Sequence, residues 1–444
     1  MPTTKKTVDD LVQNLVGKPF EIECSEIRVH GMLDHLPPLY KGPGVIKSGK
    51  EGKITFRMHN QIQISKEALS SLQWFKPEGG LEPAHQMRIF ADDYNGISWV
   101  GGWSIPVQHF SNGSNSVISG EFDQLSTRIS KGESDKRKNL TELVYSSTLD
   151  LPLTKWLENI KRRGRKVIEH EFILTQHDLR FGRSKISIFG SQNGNRTHIT
   201  ATSTATFRPP LVENWIADAI VFVTARLIYP RVAIRHFERD ALFFLRAYSS
   251  DHRSGMPSPF HFLPQTGFWQ IFSLYLTRCQ KDQPHDSIES IELTRLWREV
   301  ISASTGTVQA FVLSLALCIE NLLGRLFDEL GVKAADEQQL RALRAYVGEW
   351  KGDSTVKNRA LGVLSLLERQ PVGDALKKLK AEKTITKRHA DAWYEIRPQL
   401  AHGAVIKNPF DPVFWETRSL LMDMTYRLVF RILEYKGTVL DLLK

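Results

Sequence analysis

Cysteine is nearly absent: the 444 residues contain Cys24, Cys279 and Cys318, far apart and without a C-x-x-C pair. That excludes a disulfide framework and leaves a thiolate zinc site without support; two of the three lie in apolar runs, where a small buried hydrophobe is expected. Also missing are G-x-x-x-x-G-K-[ST], G-x-G-x-x-G between a strand and a helix, H-E-x-x-H and G-x-S-x-G. P-loop, dinucleotide, zincin and α/β-hydrolase chemistries therefore lose their simplest support. The 14 histidines are scattered and form no compact cluster with carboxylates, so neither a metal nor a cofactor is expected. Long uncharged apolar runs are lacking too: residues 211–228 carry Glu213, Asp218 and Arg226, and the run 311–319 stops at Glu320. The first ten residues show no apolar segment of a signal peptide. The expectation is a soluble cytoplasmic protein with no membrane partner.

An excess of one charge is present but mild. Lys and Arg number 59 against 49 Asp and Glu, a net +10. It divides as +4 over residues 301–444 and +6 over the rest, so it suits a polyanion such as RNA without marking one surface. The length predicts two or three domains.

The first 208 residues read as β-rich. Apolar and polar residues alternate over 20–24, 53–57 and 186–189, the period of half-buried strands. Residues 185–189 and 198–207 flank a turn containing Asn193-Gly194 and predict a hairpin. Basic runs at 136–138 and 161–166 read as solvated segments. After Arg208-Pro-Pro210 the spacing becomes helical, first over 211–230, then over 266–278 and from Ile288. Residues 301–444 read as wholly helical: Thr305-Gly-Thr307 caps a long apolar helix ending at Gly331, and runs follow at 337–350, 356–368, 372–380, 386–402 and 412–435. The fold class is α+β and multidomain: a β-rich sandwich or barrel over 1–208, a helical connector over 209–300 and an antiparallel helical bundle over 301–444. The tryptophans, spread through every segment, are expected in the cores.

One motif carries chemistry. Arg397-Pro-Gln-Leu-Ala-His402-Gly403 closes an amphipathic helix, and Gly403 suits a left-handed cap. The Arg-x-x-x-x-His spacing alone is uninformative, since Arg165–His170 and Arg231–His236 share it outside the bundle. In a regular helix the pair would stand about 140° apart around the axis and about 7.5 Å apart along it. Pro398 removes a backbone donor and disfavours helical geometry at Arg397, predicting a kink or break there. Glu320 reads either as the polar edge of its helix or as a buried carboxylate needing a partner such as Arg397. For Arg397 alone, a surface pair with Glu395 or Asp391 is the plainer reading. For His402 the plainer one is a C-terminal cap interacting with the last carbonyls.

The Arg-x-x-x-x-His motif, Ala401-His402-Gly403, the preceding apolar helix with Glu320 and the aromatic-rich last helix resemble a HEPN domain. The β-rich half joined to this bundle is similar to the ApeA-like HEPN proteins of bacterial antiphage defence. The resemblance implies a metal-independent endoribonuclease acting in abortive infection, with tRNA one candidate substrate. It implies Arg397 and His402 as the catalytic pair, Glu320 as their acidic support, a homodimer through the C-terminal domain, and a phage-derived trigger sensed by the N-terminal region. Position 398 departs from the family, where the residue after the Arg is often polar. Histidine can move protons near neutral pH and a guanidinium can fork two phosphate oxygens, so 2′-hydroxyl attack would leave a 2′,3′-cyclic phosphate and a 5′-hydroxyl. The alternatives are a non-catalytic HEPN-like module that binds RNA or nucleotide, and an interaction scaffold.

Overall fold

A computed structural model describes residues 7–16, 19–31, 36–49, 53–70, 87–107, 116–122, 124–147, 149–159, 171–190, 196–247, 254–283, 287–332, 336–366, 372–401 and 412–440. The chain divides into two compact units, Met1–Ala217 with Ile228–Asp251, and Asp218–Leu227 with His252–Lys444.

The first unit opens with α1 (Val8–Leu15), started by a reciprocal cap between Thr7 and Asp10. It continues with β1 (Glu21–His30), β2 (Tyr40–Ser48), β3 (Ile54–His59), a short α2 (Lys66–Ser70), β4 (Met87–Asp93), β5 (Ser98–Val107) and β6 (Val117–Phe122). These six strands pair antiparallel in the cycle β4–β1–β2–β3–β6–β5 and back to β4, closing a barrel. Inside lie Ile22, Ile27, Val29, Ile46, Phe56, Ile89 and Trp99, all buried. A bulge between Cys24 and Ile27 moves the inward positions of β1 from even to odd numbers. Gly44 lets β2 approach β3, since a Cβ there would lie 2.4 Å from the Arg57 carbonyl oxygen.

The sheet runs on through β7 (Gln124–Ser130), β8 (Leu140–Tyr145), β9 (Thr154–Asn159), β10 (Glu171–Phe181), β11 (Ser184–Gly190) and β12 (Thr197–Thr202). After α3 (Leu211–Thr224) come β13 (Val232–His236) and β14 (Asp240–Arg246). β6 and β7 oppose β5 in one register, Ser104 facing Phe122 and Gly101 facing Leu125. This pairing leads out of the barrel into the order β7–β14–β13–β8–β12–β11–β10–β9. The expected hairpin is present, with Ile186 facing Ala201 and Ile188 facing Ile199. Its second strand ends at Thr202, and the predicted Asn193-Gly194 turn and the basic run 161–166 lie outside the described residues.

The helical connector over 209–300 needs correction. Two strands, β13 and β14, lie inside it and complete the sheet, and the remainder from residue 252 belongs to the second unit. β13 is buried at four of its five positions, so it shows no alternation to read.

The second unit is helical. After a 3₁₀ turn at Pro259–Phe262 come α4 (Gln265–Asp282), α5 (Glu292–Ser304), α6 (Val308–Leu326), α7 (Glu337–Glu349), α8 (Ser354–Leu366), α9 (Val372–Ala381), α10 (Lys387–Ala401) and α11 (Pro412–Ile432). Thr307 caps α6 by accepting from the Ala310 N–H, as the sequence suggests. Gly331 closes the turn after α6 at φ +60°. α6 packs against α5, α9, α10 and α11 through Phe311, Leu315, Ile319, Leu322 and Leu326. Among the described residues it is the one helix long and apolar enough to cross a membrane, and it serves here as the central helix of a bundle. Phe222, Tyr275, Trp297 and Tyr426 form a contiguous aromatic core.

Candidate functional site

The site is built on α6 and α10. On α10 the buried positions His389, Ala390, Ala392, Trp393 and Ile396 recur at helical spacing and face the bundle. Arg397 follows at the edge of that face, its side chain 47% exposed, and Glu320 occupies the corresponding edge of α6 at 25%. Arg397 Nε donates to Glu320 Oε1 at 2.5 Å. The guanidinium also lies 6.0 Å from the centre of the Trp393 ring one turn earlier, within cation–π range. Among the described residues Nη1 and Nη2 take no partner, so the fork that matches two phosphate oxygens is left open.

Glu320 therefore combines both readings of it, a polar edge and the partner of Arg397. Glu395 and Asp391 do not hold Arg397, because their positions on α10 turn away from its side. His402 and Gly403 lie outside the described residues. The break expected at Arg397 does not occur: α10 runs from Lys387 through Pro398 to Ala401. The lost bond from position 398 to the Tyr394 carbonyl falls in the last turn, and buried Trp393 and Ile396 already hold the helix there.

Sequence reasoning missed a polar network beneath this surface. Thr386, preceding α10, donates from its backbone N–H to His389 Nδ1 at 2.9 Å, and its hydroxyl lies 2.9 Å from the same atom. An imidazole thus takes the place of the carboxylate in a capping box. With Nδ1 accepting, the proton of the ring resides on Nε2, which donates to Asp423 Oδ2 at 3.0 Å. Arg427 Nε reaches the same oxygen at 3.0 Å. Asp423 is fully buried and His389 nearly so, so the cluster keys α10 to α11. Its sequence signals were the Thr386-x-x-His389 spacing and the Asp423-x-x-x-Arg427 pair inside an apolar helix.

A second missed feature is Arg418. Its guanidinium carbon lies 3.8 Å from the centre of the Trp415 ring and 5.9 Å from that of Phe311. Burial lowers its pKa, and no carboxylate among the described residues faces it. Among the described residues it is a cation held by aromatic faces.

The expectation that the tryptophans are core holds for Trp99, Trp215, Trp297 and Trp393. It fails for Trp350 and Trp415, which stand 46% and 38% exposed.

No family model, curated protein or solved structure matches this chain. Among the described residues no group of three or more His, Cys, Asp or Glu could hold a metal ion. The arrangement itself offers a surface cation oriented by a carboxylate, at the end of a helix whose next residue is His402.

In the β unit, Glu142 anchors a separate charged cluster. Its carboxylate lies 3.0 Å from His198 Nε2, 2.9 Å from His236 Nε2 and 3.3 Å from Arg137 Nη1. Arg137 also binds Asp135 and Asp9 of α1. His236 is wholly buried and misaligned for a hydrogen bond to Glu142, and it contributes at ion-pair range. The cluster ties α1 to β8, β12 and β13.

Proposed function

We propose that this protein is a metal-independent endoribonuclease of HEPN type that acts in bacterial antiphage defence. The observation that carries the reading is the Arg397–Glu320 pair: an exposed guanidinium fixed through Nε, whose two outer nitrogens take no partner among the described residues, five residues before His402. In this reading Glu320 orients Arg397, and Arg397 binds the phosphodiester and stabilises the extra charge that develops at phosphorus. His402 moves the protons. The RNA 2′-hydroxyl gives up its proton, its oxygen attacks phosphorus, and the 5′ oxygen leaves and is protonated. A 2′,3′-cyclic phosphate and a 5′-hydroxyl remain.

One histidine cannot serve as both base and acid in a single step, and a second copy of the chain would supply the other. The outer face of α6 supports such a partner, since Leu313 and Leu317 precede Glu320 at helical spacing and both are exposed. Residues 1–208 would then sense a phage-derived trigger.

The competing reading, a binding module without catalysis, draws support from Pro398 and from Glu320 already neutralising Arg397. Induced expression in bacteria separates the two. The nuclease arrests growth once phage infection supplies the trigger, and His402→Ala and Arg397→Ala relieve the arrest at equal protein levels. Equal toxicity of the His402→Ala protein sinks the assignment.

A further inference from the structure

The hairpin of α7 and α8 is unlike the rest of the bundle. α7 packs principally on α8, and along both helices few side chains are buried, Leu340 and Leu364 among them. Such a pair would ordinarily be covered with polar residues. Instead Leu343, Tyr346 and Trp350 fall at i, i+3 and i+7, on one stripe of α7, and all three are exposed, Tyr346 at 75%. Val356 and Val363 of α8 are exposed as well.

The tip is built to hold an aromatic ring in place. Trp350 ends α7, and its indole lies over the backbone of Gly352, where a Cβ would meet the ring at 2.2 Å. Asp353 then caps α8 by accepting from the N–H groups of Thr355 and Val356. Around this tip stand Lys351, Lys357 and Arg359, none of which makes an ion pair with the described residues. Arg341 is already paired with Glu337.

Exposed rings at helical spacing with spare cations beside them match what a single strand of nucleic acid requires: faces on which bases stack and charges that follow the phosphates. A second copy of the same hairpin would bring those cations against one another, which like-charge repulsion opposes. We infer that the α7–α8 hairpin is an arm that binds single-stranded RNA, with Tyr346 and Trp350 stacking on bases and Lys351, Lys357 and Arg359 contacting phosphates. The inference deepens the nuclease reading by naming the form in which substrate arrives, and it rests on that reading only for its purpose.

The test is fluorescence anisotropy with a labelled 12-nucleotide single-stranded RNA and the full chain carrying Arg397→Ala, so that the probe survives. Adding Tyr346→Ala and Trp350→Ala together weakens binding about tenfold or more, and Tyr346→Ala alone, at a side chain 75% exposed, weakens it without lowering the melting temperature. Replacing Lys351, Lys357 and Arg359 by Gln flattens the slope of log Kd against log salt by about two. Wild-type affinity in the aromatic double variant overturns the arm. So does a double variant that binds RNA normally but sediments at half the mass, which makes the hairpin a contact between copies. If the Arg397→Ala protein still cleaves RNA, the catalytic assignment fails while the binding result stands on its own.

Discussion

Arg397 of α10 and Glu320 of α6, 77 residues apart, meet at 2.5 Å on the surface of the helical bundle. A pair this exposed contributes only about 0–1 kcal/mol to stability, so its place at the rim of the bundle points to orientation of the guanidinium. Glu320→Ala is therefore expected to leave the melting temperature nearly unchanged while lowering kcat for RNA cleavage about a hundredfold, the order of loss that a small misplacement of a reacting group causes. Arg397→Ala lowers it by roughly two to three orders of magnitude. Parallel melting curves and cleavage rates check both values, and a Glu320→Ala protein that melts far earlier would make the pair structural.

The His389–Asp423–Arg427 cluster behaves in the opposite way. His389→Ala removes a partner from a fully buried carboxylate, which costs about 3–5 kcal/mol. The loss is read by chemical denaturation of the helical unit. His389→Gln, which retains a donor for Asp423, recovers part of it.

Acid should loosen the β unit before the helical one. Burial raises the Glu142 pKa, but His198 and His236 hold the carboxyl, on balance, well below its ordinary range. Arg137 likewise lowers Asp135 to about 2. Both groups favour folding at pH values above the ordinary carboxylate range, and that contribution is lost as the pH falls through about 4 toward 2. Glu142→Gln is less stable than wild type at pH 7, and its melting temperature declines less between pH 5 and pH 3. Parallel declines in the two proteins would remove Glu142 as the cause.

The three thiols should be silent in the folded protein. Cys24, Cys279 and Cys318 are buried, and burial raises the pKa of each, to about 12 for Cys24 and Cys318. At pH 8 a thiol-exchange dye labels none of them in native buffer and all three in denaturant. Rapid labelling of any one in the native state would contradict its burial.

Local patterns carried most of the fold. Alternation marked β1, β3 and β11, and 3.6-residue spacing marked α3, α4 and every helix of the bundle within a few residues. Closure of the barrel was not legible, because the pairing of β4 with β5 and of β5 with β6, and the continuation from β5 into β7 and β14, depend on register between strands, which no single segment displays. β13 and β14 were hidden for different reasons. The first is buried on both faces, and the second alternates but lies between helical segments. In the site, Glu320 stood out as a charge interrupting an apolar helix, and its pairing with Arg397 follows from that. His389 and Asp423 were unreadable as a pair, since 34 residues and a helix turn of bundle packing bring them together.

The most direct measurement is the chemistry of the RNA ends left by the purified protein in the presence of a chelator. HEPN-type cleavage predicts 2′,3′-cyclic phosphate and 5′-hydroxyl termini, produced by the wild type and lost in both Arg397→Ala and His402→Ala. Termini bearing a 5′-phosphate, or unchanged cleavage by the His402→Ala protein, would contradict it.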